Sequence, residues 1–208
     1  LVRVGATEGF GTLILAPHLA QLTRKHPHLS IDLLALPRML HLSRREADIV
    51  ISLERPTRGS VIVSRLSDYS LYLYGQREYL ARKPLVATRE DLRHHAFVSY
   101  VDDLLFTKEL QFLDALHQPE RFAFRSTSIT AQYEAVRAGA GLAVLPAFLA
   151  DRDPVLTRVL PQEGQFTRTF WMSMPSESKH LARMQVTWAY LRETVAAQQE
   201  LLKPKAVR

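Results

Sequence analysis

The 208-residue sequence has no cysteine, only 8 glycines, and no apolar run long enough to cross a bilayer. Without cysteine there is no disulfide framework, no thiolate metal site and no cysteine nucleophile. With so few glycines, 9% aromatic and 23% charged residues, the chain is neither a collagen-like repeat nor a disordered polymer. Its longest apolar stretches, Leu13 to Ala16 and Leu142 to Leu149, fall far short of the roughly 20 residues that span a membrane. No charged segment followed by an apolar one marks a secretory leader, so no membrane role is expected and the cytoplasm is the expected location. Catalytic signatures are lacking too: there is no GxGxxG, GK[ST], GxSxG or HExxH sequence, and no metal or cofactor is expected.

What is present is 47% hydrophobic residues and 27 Lys+Arg against 21 Asp+Glu, a formal charge of +6. This fits one globular unit or two small lobes sharing a core. The basic residues are scattered, so the excess alone does not mark a nucleic-acid binder. Leu1-Val2-Arg3-Val4-Gly5 alternates from its first residue and reads as a strand entered part-way, the start of a piece of a longer or processed protein. Leu201 to Arg208 loses periodicity and reads as a frayed tail.

The pattern predicts a strand over Leu1 to Gly5, then a helix carrying Leu15, Leu19 and Leu22 on one stripe. Pro17 means that this helix either begins near Thr12 or is kinked, and His26-Pro27 ends it. A buried strand over Leu29 to Leu36, a helix over Arg38 to Ala47 and a strand over Asp48 to Ile51 complete a β-α-β-α-β order, which implies parallel strands. Two β-rich runs follow, Val61 to Leu66 and Tyr69 to Tyr74. Helical segments are read at Arg77 to Arg82 and Arg89 to His94, with strands at Phe97 to Val101 and Phe122 to Ser126. Ser128 to Ala138 is a helix stopped by Gly139 and Gly141, Leu142 to Leu145 a strand, and Pro146 opens a short helix. A strand over Thr169 to Met174 and a helix over Leu181 to Glu200, with Met184, Trp188, Leu191 and Val195 on one stripe, close the chain.

Gly5 to Thr12 joins a strand to a helix, a setting in which backbone N–H groups can hold an anion, and equally a plain flexible turn. The histidine pairs His26/His28 and His94/His95 lack metal-ligand spacing and read as surface or capping groups. Asp102-Asp103 and Asp151/Asp153 read as solvated turns, and nothing demands an enzyme. Hydroxyls at strand ends carry more: Ser99-Tyr100 closes one strand, and Ser126-Thr127-Ser128 joins another to the Gly-capped helix. In α/β sheets ligands collect beyond the carboxyl ends of strands, although Ser and Thr also serve as ordinary helix caps.

In this order the segments resemble the effector-binding domain of LysR-type transcriptional regulators. The resemblance is carried by Ala6-Thr7-Glu8-Gly9-Phe10, by Leu15-Ala16-Pro17-His18-Leu19 running to His26-Pro27, by Glu46-Ala47-Asp48-Ile49-Val50-Ile51, and above all by Ala135-Val136-Arg137-Ala138-Gly139-Ala140-Gly141-Leu142-Ala143-Val144-Leu145-Pro146. It implies a two-lobed, α/β, type 2 periplasmic-binding-protein-like fold, each lobe a mixed sheet flanked by helices, joined by two crossover strands near Leu73-Tyr74 and Phe166-Thr167. Lobe I would be 1–74 with 167–208 and lobe II 75–166, with the N-terminal winged helix-turn-helix absent from this chain. A small-molecule effector would lie in the cleft, touching Thr7, Glu8, Phe10, Leu36, Pro37 and Ser52 from one lobe. The other lobe would contribute Ser99, Tyr100, Thr127, Ser128 and Phe148. Glu8 departs from the small hydroxyl residues common near there, which speaks against a carboxylate held at that helix end. The family's partners are promoter DNA, through that N-terminal domain, and further copies in a homodimer or homotetramer. An exported solute-binding protein of a transporter is the alternative on the same fold. At the proposed boundaries lobe I holds 16 basic and 9 acidic residues against 11 and 12 in lobe II, so the whole positive excess would lie beside the DNA-binding segment.

Overall fold

The first strand, β1 (Val2–Thr7), buries Val2, Val4 and Ala6 on one face and exposes Arg3 on the other, the alternation of a strand covered on one side. In the computed structural model, which describes residues 1–38, 42 and 46–204, helical structure begins immediately after Thr7. Helix α1 (Glu8–Phe10) runs into a π-turn over Gly11–Leu15 and then into α2 (Ala16–Lys25). The π-turn accommodates Pro17: the widened turn precedes it, so the residue without an N–H falls in the first turn of α2. Strand β2 (Ile31–Leu36) pairs parallel with β1, Val4 opposite Leu33, and is half-buried along its length because it is the edge of the sheet. Strand β3 (Ile49–Ser52) lies parallel on β1's other side, Gly5 opposite Val50. The helix expected over Arg38 to Ala47 falls mostly outside the described residues.

The two β-rich runs after Gly59 are one strand, β4 (Val61–Gln76). Polar Ser67 and Asp68 interrupt the apolar pattern without breaking the backbone, because Asp68 accepts from Thr169 (2.7 Å). The chain then makes α3 (Arg77–Ala81), a 3-10 turn at Glu90–His94 and β5 (Phe97–Ser99). Three more 3-10 turns, Asp102–Leu104, Lys108–Leu110 and Leu113–Ala115, lead to β6 (Phe122–Arg125), parallel to β5. Helix α4 (Ile129–Arg137) is capped by Ser128 and stopped at Gly139 (φ 79°), where the Ala140 N–H reaches back to the Ala135 carbonyl (3.0 Å). Strand β7 (Ala143–Pro146) and α5 (Ala147–Ala150) follow as expected, and an unforeseen β8 (Leu156–Val159) pairs antiparallel with β4. Strand β9 (Gln165–Pro175) pairs antiparallel with β3, and α6 (Ala182–Ala197) and α7 (Gln199–Leu202) end the described chain.

These elements form two compact units, one of Leu1–Asp68 with Thr169–Gln199, the other of Tyr69–Arg168 with the chain from Glu200 on. In unit 1 the strand order is β2-β1-β3-β9, and α2 and α6 pack on its sheet. Met184, Leu191 and Val195 of α6 are buried, whereas Trp188 of the expected stripe is only half-buried. In unit 2, Tyr72 and Tyr74 of β4 and Leu145 of β7 pack with Val98, Ile129 and Val136 into one core cluster.

Candidate functional site

In unit 1 the carboxyl ends of three parallel strands meet. Thr7 ends β1, Leu36 ends β2 directly opposite it, and Ser52 ends β3. Thr7 is extended (φ −63°, ψ 145°) and half-buried, and it caps α1 without using its side chain, so its hydroxyl is not spent on the cap. The Ser52 hydroxyl donates to the Glu54 carbonyl (2.7 Å), which leaves its lone pairs to accept. Glu8 and Pro37 are half-buried beside these ends. Phe10 is not brought to them: it is buried at 1% exposure and its ring stacks on Phe170 with centroids 4.1 Å apart.

In unit 2 the same logic holds at β5 and β6. Ser99 lies opposite Arg125 at the strand ends, and the Ser126 N–H bonds to the Ser99 carbonyl (3.0 Å). The Ser126-Thr127-Ser128 turn is fixed by its own polar groups: the Ser128 N–H donates to Ser126 Oγ (3.1 Å), Gln132 Nε2 donates to the Ser126 carbonyl (3.0 Å), and Ser128 Oγ accepts from the Ala131 N–H (3.0 Å). Ser128 thus spends its acceptor on capping α4, and Thr127 presents its half-buried hydroxyl at the bend. Ser99 and Tyr100 open onto a cavity of about 320 Å³ whose other walls include Asp102, Asp114, Phe112 and Phe122. Thr127, Ser128 and Phe148 do not line it, and Phe148 is buried against Tyr69 (centroids 5.9 Å).

Asp151 and Asp153, expected to be solvated turn residues, do lie in the turn after α5, Asp151 exposed and Asp153 half-buried, and both also hold long-range partners. Tyr74 donates to Asp151 (2.7 Å), which also takes the Arg158 guanidinium (Nε, 2.9 Å). Tyr133 of α4 donates to Asp153 (2.7 Å), whose carboxylate pairs with Arg137 (2.6 Å). Burial works to raise the Asp153 carboxyl, but the hydrogen bonds from Tyr133 and the Val155 N–H, with the Arg137 charge, hold it below the ordinary range. Burial and the bond to Asp153 push the Tyr133 hydroxyl up to about 12. Burial first, then Asp151, raises Tyr74 well above the ordinary tyrosine value.

Pattern reading passed over Trp171 and Arg55. Trp171 of β9 is the register partner of Ser52, and the Arg55 guanidinium lies over its ring, 5.5 Å from the centroid. Strand-end hydroxyls, an indole and a guanidinium have the chemistry to bind and orient a small molecule. Among the described residues no three His, Asp or Glu side chains gather to hold a metal ion.

The comparisons agree with a binding domain. The family model described as the LysR substrate binding domain matches residues 1–196. An uncharacterized HTH-type transcriptional regulator of Haemophilus influenzae is 24% identical over 78% of this chain and 58% of its own length. The Mau operon transcriptional activator of Paracoccus denitrificans is 31% identical over 71% of this chain and 48% of its own. The chain therefore spans about half the length of the curated relatives it matches. Among solved structures, the regulatory domain of CrgA from Neisseria meningitidis superposes with a TM-score of 0.78 at 22% identity, covering 93% of this chain and 98% of that one. The effector domain of AmpR from Pseudomonas aeruginosa gives 0.75 at 19% identity, covering 96% and 97%. The fold is thus the α/β, type 2 periplasmic-binding-like fold of those regulatory domains. With the family model matching residues 1–196, from the first strand through nearly all of α6, the chain belongs to the LysR substrate-binding domain family.

Proposed function

We propose that this chain is the effector-sensing part of a LysR-type transcriptional regulator, and that a small molecule bound at its strand-end residues alters how a DNA-binding segment of the full-length protein engages promoter DNA. The contacts assigned to the effector are Thr7, Glu8, Leu36, Pro37 and Ser52 of unit 1, and Ser99, Tyr100, Thr127 and Ser128 of unit 2; Phe10 and Phe148 support them from the cores. The observation that carries the reading is the Thr7 hydroxyl at the end of β1, left unused by the cap of α1, inside a chain matched by the family over residues 1–196. The full-length protein would act in the cytoplasm as a homodimer or homotetramer. Both relatives described above are transcriptional regulators, which favours regulation over a transport role on the same fold.

A ligand shifts such a domain only by its differential affinity for two arrangements, typically about 1–3 kcal/mol. Titrating metabolites against the melting temperature tests this: a stabilising ligand should lose its effect in Thr7→Val and Thr127→Val. Stabilisation that survives both substitutions unchanged would place the site elsewhere. The gene upstream of Leu1 decides between the two roles, a helix-turn-helix supporting regulation and a secretory leader supporting transport.

A further inference from the structure

The sheet register of unit 1 carries the strand-end site one strand further. Thr7 faces Leu36, and Ser52 faces Trp171. The β1–β3 pairing of Val4 with Ile49 and Gly5 with Val50, continued two residues, sets Thr7 beside Ser52. Residues opposite one another in a sheet project to the same face. Leu36, Thr7, Ser52 and Trp171 therefore form a single row across β2, β1, β3 and β9, on the face opposite Phe10 and Phe170. Trp171 is half-buried rather than part of the closed core, and Arg55 stands over the ring. Among the described residues no carboxylate pairs with Arg55.

From this row the geometry points to Trp171 and Arg55 as the pair that sets effector specificity in unit 1, selecting a small planar anion: a flat conjugated or aromatic group on the indole, a carboxylate on the guanidinium, and the Thr7 hydroxyl as a further donor. An indole face favours flat π systems over saturated rings, and a guanidinium matches a carboxylate through paired N–H donors. The anion's partner is then Arg55, beyond the end of β3, and Glu8 at the start of α1 does not have to tolerate it. This rests on the effector-binding reading and deepens it.

The test uses the 208-residue chain and four probes of similar size: benzoate, cyclohexanecarboxylate, benzyl alcohol and benzylamine. Trp188→Phe leaves Trp171 as the only indole, so its emission reports contact while melting temperature reports binding anywhere. Benzoate should quench Trp171 and raise the melting temperature, with the other three at least about fivefold weaker. Arg55→Gln should weaken benzoate about fivefold and abolish its preference over benzyl alcohol, while Trp171→Leu should abolish its preference over cyclohexanecarboxylate. Circular dichroism of each variant shows that it is folded. The inference is overturned if benzylamine or benzyl alcohol binds best, if benzoate stabilises without touching Trp171 emission, or if no probe binds at millimolar concentration. If Thr7→Val abolishes binding that Arg55→Gln and Trp171→Leu leave intact, effector binding stands and this specificity pair falls.

Discussion

Gly141 lies where β7 is threaded against the chain entering β5, and replacing it by alanine should unfold unit 2 at markedly lower denaturant. A Cβ there would sit 2.3 Å from the Ala96 carbonyl oxygen and 2.7 Å from the Ala96 carbonyl carbon. An ordinary carbon–oxygen contact is about 3.3 Å, so one backbone must retreat by roughly 1 Å. That backbone is held by two bonds, Leu142 N–H to the Ala96 carbonyl (2.9 Å) and Val98 N–H to the Leu142 carbonyl (2.8 Å). Overpacking costs about 1–3 kcal/mol and each of the two weakened hydrogen bonds about 1 kcal/mol, so Gly141→Ala should destabilise by about 3–5 kcal/mol. With a urea slope of about 2–3 kcal/mol/M the midpoint falls by roughly 1–2 M, read by far-UV circular dichroism. Gly59→Ala is the control: its φ of 89° disfavours a side chain, but the nearest atom to a new Cβ is Val61 Cγ1 at 3.9 Å, so only about 1 kcal/mol is expected. A midpoint for Gly141→Ala within about 0.2 M of wild type would refute the reasoning, since the β5–β7 contact would then yield without loss. Because Val98 immediately precedes Ser99, the folded fraction of the variant should also bind effector more weakly.

Phe170→Ala removes the ring stacked on Phe10 and should cost about 3–4 kcal/mol by urea unfolding. Ser128→Ala takes the acceptor from the Ala131 N–H and should cost about 1 kcal/mol in the same assay, the value of a helix cap. Tyr133→Phe leaves the Asp153 carboxylate without its hydroxyl donor and should cost about 1 kcal/mol at pH 7. As Asp153 is depressed in the folded state, the stability it adds is complete above the unfolded carboxyl range and is lost as pH falls through the lower folded value, so the wild-type advantage over Tyr133→Phe should shrink in acid. His95 is buried, bonds the Pro84 carbonyl through Nε2 (3.1 Å), and is held below the ordinary histidine value first by that burial. Folding therefore favours its neutral form, and stability present above the unfolded histidine range should be lost as pH falls below it; a melting temperature of His95→Gln that tracked wild type between pH 7 and pH 5 would assign that loss to other groups.

The elements legible in the sequence are those whose signal is local. Val2, Val4 and Ala6 alternate within β1, and Gly139 ends α4 through a bond of only five residues' span. The stretch from Asp102 to Ala115 was opaque because it buries Leu110, Phe112 and Leu113 with neither a 3.6 nor a 2.0 period, as three separate 3-10 turns. Asp151 sits in a turn as its pattern says, but its bond to Tyr74, 77 positions away, leaves no local signal. The charge balance depends on boundaries in the same way: unit 1 as folded holds 12 basic and 8 acidic residues, a smaller excess than the 16 and 9 of the wider sequence split.

The site shows the same division between local and long-range information. The motif Thr7-Glu8-Gly9-Phe10 draws attention to all its side chains, but the change from strand to helix at Glu8 decides which of them stand at the strand end and which enter the core. At about 100° per residue, Phe10 is turned roughly 200° from Glu8, so if Glu8 borders the strand ends Phe10 must face the core. Its stacking on Phe170 is the consequence. That same contact fixes β9: with Phe170 committed to the core face, strand alternation sends Trp171 to the other face, beside Ser52. The burial of Phe10 against Phe170 thus goes together with the outward placement of Trp171. A substitution that lets Phe10 leave the core, such as Phe170→Ala, should disturb Trp171 emission as well as stability.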